Sequence, residues 1–177
     1  MSRRHVHASI DRAGTLGGNE LDLYFCHRED PGVLLAEMVL SMGDLVQLGK
    51  VRAWGTCCWR PANLRWAHRL AAELGGDPPG VEQPRNSLLE RSIESDLVPC
   101  CRQLVSLVVL SPLAGGGFDG KYFDGVPPNS RQGGRHTVGR PLFGGRCDGI
   151  RPRLLRWGPF ARAWIRTSSL SPGACTK

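Results

Sequence analysis

Only two tyrosines, Tyr24 and Tyr122, occur in 177 residues, and no apolar run reaches the roughly 18 residues that a membrane-spanning helix needs. The N-terminus, Met1-Ser2-Arg3-Arg4-His5, lacks the apolar stretch of a secretory signal. A cytoplasmic protein without membrane association is expected. Seven cysteines are present, but no C-x-x-C spacing, and no histidine stands at ligand spacing from two of them, which argues against zinc. Four of the seven form the adjacent pairs Cys57-Cys58 and Cys100-Cys101, and neighbours rarely bridge without strain. A disulfide framework is therefore not expected either. No strand-like run leads directly into a G-x-G-x-x-G turn, which lowers the case for a doubly wound dinucleotide fold.

Acidic residues are scarce in one region only. Residues 1–130 hold 13 Lys/Arg against 15 Asp/Glu, whereas residues 131–177 hold 10 Lys/Arg against the single Asp148. The net charge of +7 therefore belongs to the tail. With 41% apolar and 22% charged residues, the body has the composition of a soluble globular domain.

What is present is an alternation of short apolar runs and longer amphipathic ones. Leu21–Cys26 reads as a strand, and Gly32 to Leu48 as a helix whose apolar residues recur at spacings of three and four. Val51–Gly55 reads as a second strand, and Pro61–Leu74 as a helix opened by proline and stopped by Gly75-Gly76. Gly80–Gln83 is a brief third strand. Ser92–Leu104 has a helical stripe with Pro99 awkwardly inside it. Leu104–Leu110 is a continuous apolar run, expected to be a strand buried on both faces. Such βα alternation implies parallel strands with right-handed crossovers, in an open sheet or a (β/α)8 barrel. His27 stands where the first strand meets its βα loop, the end at which α/β barrels place catalytic groups. A histidine bonded to its own loop satisfies the same position. Gly115-Gly116-Gly117 offers backbone N–H groups to a phosphate, or serves only as a flexible turn.

Several blocks in order resemble the aldo-keto reductases: Asp22 to Arg28, Trp54-Gly55-Thr56, Val81-Glu82-Gln83-Pro84, Asn86 to Arg91, Ser111 to Gly116, and Gly120-Lys121-Tyr122. The similar stretch runs from about Ser2 to Ser130, and its nearest subgroup is that of the potassium-channel β subunits and their bacterial relatives. The resemblance implies a partial (β/α)8 TIM barrel, about strands 4 to 7, over residues 1–131, followed by an irregular basic tail over 132–177. It implies NADPH as cofactor and a small aldehyde or ketone as substrate. His27 takes the place of the histidine that polarises the substrate carbonyl; channel β subunits usually carry Asn there, so His27 leans toward a reductase. Gln83 takes that of the nicotinamide carboxamide contact. Ser111, Pro112, Leu113, Ala114 and Gly115 correspond to the pyrophosphate loop, and Lys121 to a nearby cationic contact. Arg131 closes the resembling stretch and is counted with the cofactor contacts. By residue type alone, Gln83 is a polar strand-end residue and Lys121 an exposed lysine.

The chain departs from the family at consequential places. The resemblance implies a proton-donating Tyr with a Lys and an Asp on strands before the one ending at His27, and neither Tyr24 nor Tyr122 corresponds to the donor. General acid assistance contributes roughly 10²–10⁴-fold, so a truncated barrel with weak or no activity is expected. A serine and its polar neighbour are replaced by Cys57 and Cys58. The aromatic that stacks on the nicotinamide is replaced by Leu110, which has no π face. In the tail, five arginines from Arg151 to Arg166 interleave with Trp157, Phe160 and Trp164. That pattern fits an out-of-frame translation of a G+C-rich gene better than an RNA-binding segment, so a nucleic-acid partner is not expected. A non-catalytic NADP-binding subunit of the channel-β kind, or a basic-tail nucleic-acid-binding protein, is the alternative function. Open sheet edges would favour self-association.

Overall fold

The computed structural model describes residues 3–14, 21–116, 118 and 127–130. They belong to two compact units, one comprising residues 1–86 and 91–110, the other residues 87–90 and 111–177. The boundary expected at residue 131 lies outside the described residues, as does the tail.

The first unit opens with α1 (Arg3–Gly14), whose Val6 and Ile10 are buried one turn apart. β1 (Leu21–Cys26) has the bounds expected from its apolar run. α2 (Leu35–Gln47) starts three residues later than its sequence suggests, because Asp30 first closes a turn: its carboxylate accepts from Gly32 N–H at 3.0 Å and its carbonyl from Val33 N–H at 3.1 Å. Met38, Val39, Met42 and Leu45 form the buried stripe of α2. Gly49, at φ +66°, ends it in the left-handed conformation that glycine adopts without strain. β2 (Val51–Thr56) follows, then α3 (Pro61–Leu74), with proline in its first turn and Gly75 at φ +69° beyond its end.

β3 is only Val81–Glu82. The predicted Ser92–Leu104 helix is two pieces, a 3-10 turn at Ser92–Glu94 and α4 (Leu97–Leu104). Asp96 caps α4, accepting from Leu97 N–H at 2.6 Å. The break resolves the difficulty with Pro99, which now falls in the first turn of a helix, where its missing N–H would have had no intrahelical partner.

The four strands pair in the order β1-β2-β3-β4, where β4 is Ser106–Leu107, and every pairing is parallel. α2, α3 and α4 form the crossovers, and α2 packs on α3 and α3 on α4. The sheet register sets the two faces. Cys26, Thr56, Glu82 and Leu107 form one row across the strands. Cys26 Sγ lies 3.2 Å from Met38 Sδ, so this row faces the helices. Trp54, fully buried on the same face, donates its indole N–H to Asp77 O at 2.8 Å. The core lies between that face and α2, α3 and α4.

The opposite face carries Phe25, Gly55, Val81 and Ser106 in the preceding row. Gly55 is required there: a Cβ at this position would stand 2.8 Å from both Phe25 Cε1 and Val81 O. The expectation that Leu104–Leu110 is a strand buried on both faces is wrong. Leu104 ends α4, Ser106 and Val108 are exposed, and β4 has a neighbour on one side only among the described residues.

In the second unit, Ser87 and Glu90 exchange backbone hydrogen bonds of 3.0 and 3.1 Å around a tight turn. Ser111–Gly116 coils into consecutive turns closed by Ala114 N–H to Ser111 O at 2.9 Å and Gly116 N–H to Leu113 O at 3.0 Å. No helix among the described residues is long and apolar enough to cross a membrane.

Candidate active site

One residue beyond the helix-facing row, the ladder continues without strand assignment. Cys57 N–H donates to Cys26 O at 3.1 Å, Gln83 N–H to Thr56 O at 2.7 Å, and Val108 N–H to Glu82 O at 3.0 Å. These bonds place His27, Cys57, Gln83 and Val108 in the next row, at the C-terminal ends of four adjacent parallel strands. Strand alternation turns this row to the face of Phe25 and Gly55. His27 is exposed, and Gln83 is half-buried. Two strand spacings, about 10 Å, separate the backbones that carry them, with the end of β2 between.

Between them runs the loop after β2, held from three sides. Cys58 N–H donates to Gln83 O at 3.2 Å and Trp59 N–H to Glu82 Oε1 at 3.1 Å. Arg60 binds Glu29, of the β1–α2 loop, through its N–H at 2.8 Å and its Nε at 3.0 Å. Cys58 itself sits at φ +57°, in the left-handed region that non-glycine residues rarely adopt. Cys57 Sγ lies 3.9 Å from Gln83 Oε1, and Cys58 Sγ 3.7 Å from Gln83 O. The amide of Gln83 and the two thiols thus share one small area at the strand ends.

Burial, and secondarily the neighbouring Cys58, pushes the Cys57 thiol up to about 11, so it is a neutral weak donor rather than a nucleophilic thiolate. Burial pushes Cys26 up to about 12. Glu82 is fully buried, and desolvation holds its carboxyl above the usual range, against the opposing hydrogen bonds from the Thr56 hydroxyl and from Trp59 N–H. In the sequence Glu82 stands out only as part of the Val81-Glu82-Gln83-Pro84 block. Its signal was an acid flanked by apolar and strand-end residues on a strand whose alternate positions face helices. Glu29, which ties the first two βα loops together through Arg60, had no such signal.

Leu110 is half-buried and extends the β4 ladder, donating its N–H to Pro84 O at 2.7 Å and accepting from Asn86 N–H at 3.3 Å. Ser111, Pro112, Leu113, Ala114 and Gly115 belong to the second unit. There Ser111 has φ +58°, and the successive residues Ala114, Gly115 and Gly116 have φ of +50°, +64° and +95°, a local backbone that can turn N–H groups toward an anion. Lys121 and Arg131 lie outside the described residues. Among the described residues no group of three or more His, Cys, Asp or Glu side chains is placed to hold a metal.

The sequence model of the Aldo/keto reductase family matches residues 1–169, a span that reaches past Arg131 into the basic tail. Among curated proteins, the chain is 36% identical over 138 residues to a Schizosaccharomyces pombe protein named as a voltage-gated potassium channel subunit beta, covering 74% of this chain and 39% of that protein. It is 38% identical over 112 residues to a Glycine max protein named aldo-keto reductase 1, covering 62% and 31%. A rice protein named as a voltage-gated potassium channel subunit beta is 33% identical over 138 residues, covering 74% and 41%. The chain thus spans about two fifths or less of the length of these relatives. A four-stranded parallel sheet with helical crossovers is what a segment of the family's (β/α)8 barrel provides, and the chain belongs to the aldo-keto reductase family.

Proposed function

We propose that this chain is the carbonyl- and nicotinamide-contacting segment of an NADPH-dependent reductase of aldehydes and ketones. The observation that carries this reading is the single row of His27, Cys57 and Gln83 at the C-terminal strand ends, where barrels place their chemistry. The residues present suit the nicotinamide end of the cofactor. Gln83, a half-buried residue, carries an amide able to donate to and accept from a carboxamide, and Cys57 offers a neutral S–H beside it. Leu110 gives apolar contact without stacking. The Ser111–Gly115 loop, with its positive-φ residues Ser111, Ala114 and Gly115, suits a pyrophosphate, with Lys121 and Arg131 as cationic contacts in a part of the chain outside the described residues.

When bound, NADPH supplies a hydride to the carbonyl carbon. Charge then develops on the carbonyl oxygen, and the His27 imidazole N–H is the donor that stabilises it. The oxygen also needs a proton. Tyr24 belongs to the helix-facing side of β1, paired with Trp54, so it does not serve that oxygen. With no tyrosine assigned to deliver that proton, the chain is expected to bind NADPH and to turn over carbonyl substrates slowly. A titration of NADPH fluorescence with the purified chain, followed by NADPH consumption with a small aldehyde, tests this. Saturable binding with slow turnover lost in His27→Asn supports the reading; absence of saturable binding removes it.

The relatives named as potassium channel β subunits favour a second reading, a non-catalytic NADP-binding subunit in a cytoplasmic setting. Saturable binding with no turnover in the unaltered chain would select it.

A further inference from the structure

Cys57 and Cys58 are both free, and their Sγ atoms lie 3.9 Å apart. That spacing is wrong for a disulfide. The Cα atoms of neighbouring residues stand about 3.8 Å apart across a trans peptide, inside the roughly 4.4 Å lower limit for bridged cysteines, and the sulfurs would have to close to about 2.05 Å. It suits a single atom held between both sulfurs. A single atom bonded to both sulfurs needs them somewhat closer than 3.9 Å, an approach that rotation of the partly exposed Cys58 side chain supplies. The backbone already holds the pair in this arrangement, through the left-handed Cys58 and the bonds from Cys58 N–H to Gln83 O and Trp59 N–H to Glu82.

The ligand count decides which atom. Zinc and similar ions take four protein donors in closed sites, and the described residues offer no cluster of three. A monosubstituted trivalent arsenic needs only two sulfurs, because its own organic group supplies the third bond. We propose that Cys57-Cys58 is a chelate site for monosubstituted trivalent arsenicals. Cys58, the partly exposed thiol, takes the first bond, and buried Cys57 closes the ring. With an organoarsenic oxide, two S–H bonds and the arsenic–oxygen double bond break and two As–S bonds form. The oxygen leaves with both protons as one water, and arsenic stays trivalent. This site stands whether or not Gln83 holds a nicotinamide.

The other adjacent pair is an internal control. Cys100 and Cys101 are both buried on α4, where successive side chains diverge by about 100°. Cys100 Sγ is turned toward Pro61 O, 3.7 Å away.

The test uses the reduced full chain and phenylarsine oxide. Intact mass should show one arsenic per chain with two thiols lost. Alkylation and peptide mapping of the unaltered protein should find Cys57 and Cys58 protected. A small dithiol should release the adduct where a monothiol at equal concentration does not. Cys57→Ser and Cys58→Ser should each weaken retention at least about 100-fold, as loss of an intramolecular second bond requires, while Cys26→Ser and Cys101→Ser leave it unchanged. Protection mapping to Cys100-Cys101, Cys147 or Cys175, or retention undiminished in both single variants, would overturn the proposal. Mapping on the unaltered chain decides the matter even where a variant fails to fold.

Discussion

Replacing Glu82 is the sharpest probe of how the candidate site is held. Its carboxyl is buried, accepts from the Thr56 hydroxyl, and accepts from Trp59 N–H at 3.1 Å. In Glu82→Ala the Thr56 hydroxyl keeps Val81 O as a second partner at 3.4 Å, but Trp59 N–H, also buried, is orphaned. An unmade buried hydrogen bond costs about 1–3 kcal/mol, and the emptied space adds on the order of 1 kcal/mol. The expected loss is about 2–4 kcal/mol. Glu82→Gln keeps an oxygen for Trp59 N–H and can donate to Thr56 Oγ, so it should cost less than about 1 kcal/mol near neutral pH. The pH dependence has a definite sign. Burial raises the folded-state pKa above its ordinary value of 4.5, so the folded chain binds more protons than the unfolded one between those two values. Stability therefore falls as pH rises through that window, and the Glu82 contribution to the slope vanishes in Glu82→Gln. Urea unfolding followed by tryptophan fluorescence across a pH series measures both effects. Glu82→Ala within about 0.5 kcal/mol of the unaltered chain, or a stability difference between the unaltered chain and Glu82→Gln that grows in favour of the glutamate with pH, would refute the reasoning.

Gly55→Ala drives a methyl into Phe25 and the Val81 carbonyl, and the backbone oxygen cannot swing away; a loss of about 1–3 kcal/mol is expected by urea unfolding. Gln83→Ala removes one amide contact of about 0.5–1.5 kcal/mol, so the NADPH Kd should rise about 2- to 13-fold in a fluorescence titration. Leu110→Trp restores a ring face for the nicotinamide and should tighten NADPH binding by about 0.5–1.5 kcal/mol in the same titration. Val108 is 46% exposed beside β4, which has a neighbour on one side only among the described residues, and should promote association; Val108→Lys should reduce the concentration-dependent species seen by sedimentation velocity.

The parts of the fold legible in the sequence are those where local signals and packing agree. β1 and α3 have the predicted bounds because the first is a continuous apolar run and the second is punctuated by Pro61 and Gly75. The last strand departs from its expectation because an apolar run does not by itself fix burial: Ser106 and Val108 are exposed, and the described sheet ends at β4. The helix before it is shorter than its apolar spacing suggests, because that spacing runs through the 3-10 turn, while the start of α4 is marked by the capping Asp96. In the site, the placement of His27 and Gln83 at strand ends follows from chain order and parallel pairing. The approach of the two thiols to each other and to Gln83 does not, since it depends on the left-handed backbone of Cys58 and on the buried carboxyl of Glu82.

Amide hydrogen exchange with and without saturating NADPH tests the central claim most directly. Slowed exchange at Cys57 to Trp59, at Gln83 and through Ser111–Gly115, with Leu21 and Val51 at the opposite strand ends unaffected, is the predicted result. No protection at the C-terminal ends, or protection concentrated around Leu21 and Val51, would contradict the assignment of this face to the cofactor.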